Sequence, residues 1–153
     1  MNHDKVVPIR RPEIIAEVRG VVDECGVTLC VYGEDLDPKA VTKLLGAKPT
    51  SSFRRGYQRK PSARPMPHGA WFLKVRGKAP HGPDVYLRKL LMKLPDSAET
   101  WKELNRLYKV RLSIRLGFAG WNKGFSFPAD LIARAAKIRV DLDFDIYADD
   151  AIA

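Results

Sequence analysis

The sequence predicts an α+β fold: a two-layer sandwich in which a mostly antiparallel sheet is covered by helices on one face. Three observations carry this. Each clear strand pattern alternates apolar and polar residues, giving one face for a core and one for water. Helical spacings of apolar residues lie between the strands and must cover the apolar sheet face. The chain has 153 residues, 45% hydrophobic and 29% charged, enough for one packed domain without disulfides or metal. The predicted order is α-β-α-β-α-α-β-β-α-β. Residues 1–11 are expected to be a flexible N-terminus, 12–147 one domain, and 148–153 a frayed acidic tail.

The first helix is expected over Pro12–Glu24, with Ile14, Ile15, Val18, Val21 and Val22 on one face and Pro12 at its first turn. Val27–Tyr32 alternates strictly, with Val27, Leu29 and Val31 inward and Thr28, Cys30 and Tyr32 outward. Asp37 and Pro38 cap and open the next helix, and Gly46 closes it in the left-handed conformation. Ala47–His68 has no helical period and carries Pro49, Pro61, Pro65 and Pro67; only Ser52–Gln58 suggests an edge strand. Ala70–Arg76 places Trp71, Leu73 and Val75 on one side and Phe72, Lys74 and Arg76 on the other.

Pro83 opens a helix whose Leu87, Leu90, Leu91 and Leu94 keep helical spacing, and Pro95 ends it. Ser97 caps a helix bearing Trp101, Leu104, Leu107 and Tyr108. Val110–Leu116 is a half-buried strand. Residues 119–124 read as a turn leading into a short strand, Phe125–Phe127, as a hairpin would. Pro128 opens a helix with Leu131, Ile132, Ala135 and Ala136 inward. The last strand, Arg139–Tyr147, turns Val140, Leu142, Phe144 and Ile146 to the core and Asp141, Asp143 and Asp145 to water.

Lys and Arg total 27 against 18 Asp and Glu, a net charge of +9. Fourteen of the bases lie between Lys39 and Lys93, where Asp84 is the single acid, whereas five Asp and no base follow from Asp141 onward. Such a field favours anionic partners: nucleic acid, an acidic protein surface, or phosphate-bearing ligands. No run of about 18 apolar residues is present, so no membrane span or membrane partner is expected. Cys25 and Cys30 on one strand would stand roughly 16 Å apart, too far for a bridge. Free thiols and a start without a signal-like apolar core place the expected compartment in the cytoplasm.

The run Tyr32-Gly33-Glu34-Asp35-Leu36-Asp37-Pro38, then Leu44-Leu45-Gly46 and Lys48-Pro49-Thr50, resembles the opening of domain-of-unknown-function family 4279. Arg55-Gly56 ahead of the Trp71 strand, Gly124-Phe125-Ser126, and the closing Asp145-Ile146-Tyr147 agree in the same order. The resemblance covers about residues 27–147; the N-terminal helix lies outside it, and the 58–69 loop is unusually basic and rich in proline. It implies a small bacterial α+β domain with no established activity. Some relatives look like immunity proteins of bacterial toxin loci.

The segment Phe53–Lys60, continued by Arg64, interleaves Arg54, Arg55, Arg59, Lys60 and Arg64 with Phe53 and Tyr57. Guanidinium groups bind phosphate or carboxylate through paired hydrogen bonds, and aromatic rings can stack on bases. The plainer alternative is a solvated basic loop with one ring tucked inward. Trp121 at a turn tip is either an anchor for a partner or a lid on the core. Lys109, Arg111 and Arg115 are expected to pair across antiparallel strands with Asp141, Asp143 and Asp145, leaving the open sheet face nearly neutral. Most strand aromatics take the inward parity, so no stacking platform is expected there.

Asp37 is accounted for by capping, and Glu34, Asp35 and Asp37 do not follow a calcium-loop pattern. His68 and His81 read as surface loop residues. No nucleophile elbow, phosphate-cradling glycine loop or zinc-protease motif occurs, so neither catalytic residues, a metal nor a cofactor is assigned. The reading is a non-enzymatic binding module, immunity-like, that engages an acidic protein partner through Arg54, Arg55, Tyr57, Arg59, Lys60, Arg64 and Trp121. A nucleic-acid-binding domain using the same loop is the alternative, and an enzyme on a small metabolite is a third.

Overall fold

A computed structural model of the chain describes residues 20–120 and 122–149. The strands are β1 (Glu24–Gly33), β2 (Ser51–Phe53), β3 (Gly69–Lys78), β4 (Lys109–Ala119) and β5 (Asp141–Asp149). The helices are α1 (Pro38–Leu45), α2 (Pro83–Leu91), α3 (Ala98–Leu107) and α4 (Ala129–Lys137). The sheet order is β2-β3-β1-β4-β5. All neighbours are antiparallel except β4 and β5, which run parallel on either side of the α4 crossover. The α+β class and the mostly antiparallel sheet are as the alternation predicts.

Val27, Leu29 and Val31 of β1, Trp71 and Leu73 of β3, and Leu112, Ile114 and Leu116 of β4 are buried. Leu87, Leu90 and Leu91 of α2 join them in one core with Trp101 and Leu104 of α3 and Leu131 and Ala135 of α4. Polar atoms among these side chains are satisfied. Trp71 Nε1 donates to Thr42 Oγ1 at 3.0 Å, and Trp101 Nε1 donates to the Pro95 carbonyl at 2.9 Å.

α1 matches its expected ends. Asp37 accepts from the Lys39 amide, Pro38 occupies the first turn, and Gly46 closes the helix at φ 62° with its N–H on the Thr42 carbonyl. That φ lies in the left-handed region glycine adopts without strain. Ser97 caps α3 through the Thr100 amide. Cys25 and Cys30 are free thiols on opposite faces of β1.

Several expectations are corrected. Of the helix expected over Pro12–Glu24, residues 12–19 lie outside the described residues, as does the 1–11 segment. The remainder is not helical: Gly20 bridges Lys123, its N–H donates to the Asn122 carbonyl at 2.9 Å, and Glu24 already begins β1. The expected edge strand Ser52–Gln58 shortens to Ser51–Phe53, because the chain turns at Arg54–Tyr57 with Gly56 at φ 85°. Phe125–Phe127 forms no hairpin strand. Its rings pack with Phe144, at 6.4 Å for Phe125 and 6.2 Å for Phe127, and the chain passes directly into α4. This makes β5 the parallel partner of β4.

On α4, Ile132 stands 52% exposed, and Ala136 also faces water. β5 is an outer strand that the helices do not cover, so Leu142, Phe144 and Ile146 remain exposed despite sharing the core parity. Residues 148 and 149, expected in the frayed tail, continue β5 opposite Phe118 and Ala119.

Candidate functional site

The helices leave one sheet face open, and the strand register fixes which side chains stand on it. Across β3, β1, β4 and β5 the open-face rows are Phe72–Cys30–Arg111–Asp141, then Lys74–Thr28–Ser113–Asp143, then Arg76–Gly26–Arg115–Asp145. Ser51 and Phe53 of β2 extend this face beside Phe72 and Ala70.

The proline-rich segment after α1 is folded onto the upper end of this face. Thr50 opens it, its N–H on the Phe72 carbonyl at 2.7 Å and its Oγ1 accepting from the Lys74 amide at 2.9 Å. Beyond β2 the chain doubles back. The Gly56 amide donates to the Met66 carbonyl at 2.8 Å, and the Met66 amide to the Tyr57 carbonyl at 2.9 Å. At the tip, the Ala63 amide donates to the Lys60 carbonyl, and Gln58 Nε2 donates to the Ala63 carbonyl. These bonds give the arm a defined shape despite its prolines.

The cations of the arm fall into two groups. Arg54 is 2.6 Å from Asp37 Oδ1, and Arg55 is 2.5 Å from Glu34 Oε1. Both pairs are exposed, and pairs of that kind contribute about 0–1 kcal/mol. Their effect is to brace the arm against the start of α1 and to occupy two of the predicted contact residues. Arg59, Lys60 and Arg64 are exposed, and among the described residues no acid lies within ion-pair distance of them. Tyr57 stacks on Phe53 at 5.6 Å and 19°, and is 49% exposed. Trp121 lies outside the described residues. Glu34 and Asp37 are engaged as described, and among the described residues no cluster of His, Cys, Asp and Glu is arranged to hold a metal. His68 and His81 are exposed.

The upper end of the open face carries aromatics. Tyr32 of β1 and Phe72 of β3 stand on it at the outward positions their alternation predicts, and Phe53 of β2 joins them. Their rings are packed against one another: Tyr32 meets Phe72 and His68 edge-on, each at 5.6 Å, and Phe53 meets Phe72 at 6.1 Å. Arg111 covers Tyr32 from 5.4 Å. Burial raises the Tyr32 phenol, and burial likewise raises the Cys30 thiol beneath this cluster.

The expected pairing of β4 bases with β5 acids is present in part, but between parallel strands. Arg111 meets Asp143 at 3.3 Å and Arg115 meets Asp145 at 3.9 Å, while no acid among the described residues reaches Lys109. Arg115 also lies 4.2 Å over the Tyr147 ring and bonds its hydroxyl. The face is less neutral than expected because Lys74 and Arg76, on the outward parity of β3, have no acid within ion-pair distance among the described residues. Their alternation was visible in the sequence, but their neighbours across β1 and β4 were not.

At the lower end of the face lies a concavity of about 950 Å³, lined by Asp23, Glu24, Gly26, Lys74, Arg76, Lys78, Arg115, Gly117, Phe118 and Tyr147 among others. The Asp23 carboxylate on its rim accepts the Ala119 amide at 2.7 Å and sits 3.5 Å from Lys123 Nζ. That amide hydrogen bond, aided by the Lys123 charge, holds its carboxyl below the ordinary range despite some desolvation. A second hollow of about 550 Å³ lies among Tyr32, Gly33, Glu34, His68, Lys109 and Arg111. No helix among the described residues is long and apolar enough to cross a membrane.

The family described as Domain of unknown function (DUF4279) matches residues 23–149, most of the chain. No curated protein and no solved structure matches.

Proposed function

The chain belongs to the DUF4279 family, and from that premise we propose that it is a non-enzymatic binding module, immunity-like, that occludes an acidic surface of a protein partner. The observation that carries this reading is the state of the 54–66 arm: Arg59, Lys60 and Arg64 are exposed, with no acid among the described residues within ion-pair distance, on a hairpin closed by backbone hydrogen bonds. A shaped arm has less conformational freedom to lose on binding than a loose loop. Its charges would speed encounter with an acidic surface, and Tyr57, already seated on Phe53, would slow dissociation as a rigid aromatic anchor. In this reading Arg54 and Arg55 position the arm through Asp37 and Glu34, and the contacts fall to Tyr57, Arg59, Lys60 and Arg64. Cytoplasmic residence and a bacterial source go with this reading.

The test compares quantitative pull-downs from the native cell extract by the wild type and by an Arg59→Ala/Lys60→Ala/Arg64→Ala variant. The expected result is loss of acidic partners that the wild type retains. Equal capture by both would overturn the proposal.

Nucleic acid is the second reading, favoured by the outer face of Tyr57 beside Arg59 and Lys60. Against it, Tyr32, Phe53 and Phe72 already pack on one another and offer no row of free ring faces. A titration with a single-stranded oligonucleotide at two salt concentrations separates the two, because phosphate contacts lose affinity steeply as salt rises. Catalysis is the weakest reading: around the large concavity Asp23 and Glu24 are ion-paired and the Cys25 thiol is buried and held protonated, so among the described residues no activated nucleophile stands beside a free base there.

A further inference from the structure

We infer that the concavity at the lower end of the open face binds a small phosphate-bearing molecule. This inference is independent of the arm. It rests on one row of the sheet. Gly26 of β1 is in register with Arg76 on β3 and with Arg115 on β4, so two guanidinium-bearing residues flank a position that has no side chain. Neighbouring strands lie about 4.8 Å apart, which sets the two Cα atoms roughly 10 Å from each other. Arg76 can reach an oxyanion seated over the glycine directly, and Arg115 can do so by turning away from Asp145 and the Tyr147 ring, which it now contacts. Lys74, one row above Arg76, adds a third cation to the same wall.

The floor is open because of glycine. Gly117, opposite Glu24 in the next row, leaves a second gap beside Gly26. Neither glycine is required by backbone strain or by a close approach. A Cβ at Gly26 would meet only Lys74 Cε at 3.5 Å and Arg76 Cβ at 4.0 Å, and a Cβ at Gly117 would meet Glu24 Cβ at 3.4 Å. These are ordinary contacts. Glycine in a strand interior lowers strand stability and commonly marks a place where a ligand or another backbone comes close. Here the space above it is the concavity.

The acids near the concavity are largely occupied. Asp23 is held by the Ala119 amide and Lys123, and Glu24 by Lys78 at 3.6 Å. Asp145 lies 3.9 Å from Arg115 and accepts from the Tyr147 hydroxyl at 2.6 Å. Lys74 and Arg76 have no such partner among the described residues. The planar forks of two arginines suit the oxygens of a phosphate, and a lysine adds a point charge. The volume of about 950 Å³ exceeds what a bare phosphate needs and falls in the range of sites for whole small molecules. Tyr147 gives the remaining wall an aromatic part, suited to the organic body of a phosphate ester.

The test is calorimetric titration of the full chain with inorganic pyrophosphate and with ADP, backed by amide chemical shifts. Both should saturate, with shifts centred on Gly26, Arg76 and Arg115, and adenosine alone should bind far more weakly than ADP. Arg76→Gln should weaken pyrophosphate at least about tenfold, as losing a charged hydrogen bond does. Gly26→Val should weaken it comparably by filling the floor while keeping every charge, and it suits a strand. The Arg59→Ala/Lys60→Ala/Arg64→Ala variant should bind as the wild type does. Failure of both pyrophosphate and ADP to saturate would overturn the inference. So would binding unchanged by Arg76→Gln and Gly26→Val, or binding lost with the arm variant, since either marks general surface attraction.

Discussion

Gly77 lies directly beneath the Tyr86 side chain: a Cβ at Gly77 would stand 2.1 Å from the phenol oxygen. Tyr86 is buried, and its hydroxyl donates to the Lys78 carbonyl at 2.9 Å. The glycine therefore lets α2 close onto β3. Gly77→Ala is expected to displace the ring and cost about 1–3 kcal/mol, the range for overfilling a packed site. Chemical denaturation checks this. A cycle with Tyr86→Leu should show the two substitutions costing less together than their separate effects predict, since removing the ring removes the clash.

Asp37 caps α1 through the Lys39 amide and also holds Arg54. Asp37→Ala removes both and is expected to lower stability by about 1–2 kcal/mol, the cap being the larger share. Arg54→Ala breaks an exposed pair and leaves the cap, so less than about 1 kcal/mol is expected. Denaturation of the two variants side by side tests the ordering. A larger loss for Arg54→Ala would show that the arm's brace matters more than the helix cap.

These cases mark what was legible in the sequence. α1 was readable to its ends because Asp37, Pro38 and Gly46 act through local backbone geometry alone. Gly77 was not, since the need for glycine comes from Tyr86 across a helix–strand contact. The cysteines could be separated by arithmetic along one strand. Phe125–Phe127 imitates a strand by alternation, yet its rings go to Phe144, and the chain runs on through the α4 crossover to β5, which lies parallel to β4. The arm's residues were visible as composition, but the division between Arg54 and Arg55, braced by acids, and Arg59, Lys60 and Arg64, with no acid within reach among the described residues, depends on which acids lie close in space. The Arg76–Gly26–Arg115 row was hidden for the same reason, because a row across three strands has no sequence spacing.

Burial pushes the Cys25 thiol from 9.0 up to about 11, with the Asp84 charge adding to it. The unfolded chain releases that proton earlier as pH rises. The thiol's contribution to stability is thus intact below about pH 9 and is lost as pH climbs toward about 11. Alkaline unfolding of wild type and Cys25→Ala should converge over that window. In native protein near neutral pH, thiol-reactive dye should label Cys25 only slowly, because it is buried and protonated. Rapid labelling without denaturant would contradict its place in the core.

Asp23 ties the start of β1 to the end of β4, its carboxylate accepting the Ala119 amide at 2.7 Å beside Lys123. Those contacts lower its pKa, so its stabilising effect is present above the ordinary carboxylate range and lost as pH falls through the lowered value. Asp23→Ala should be less stable than wild type at neutral pH, and the gap should narrow in acid, as pH falls below the ordinary carboxylate range. Asp23→Asn retains an oxygen that can accept the Ala119 amide but drops the charge that faces Lys123. It should fall between the two at neutral pH and show a weaker acid dependence than wild type. Denaturation midpoints at several pH values provide the check, with amide exchange at Ala119 as a local readout. A gap that does not change with pH would mean that the carboxylate's charge contributes nothing and that the contact is one of shape alone.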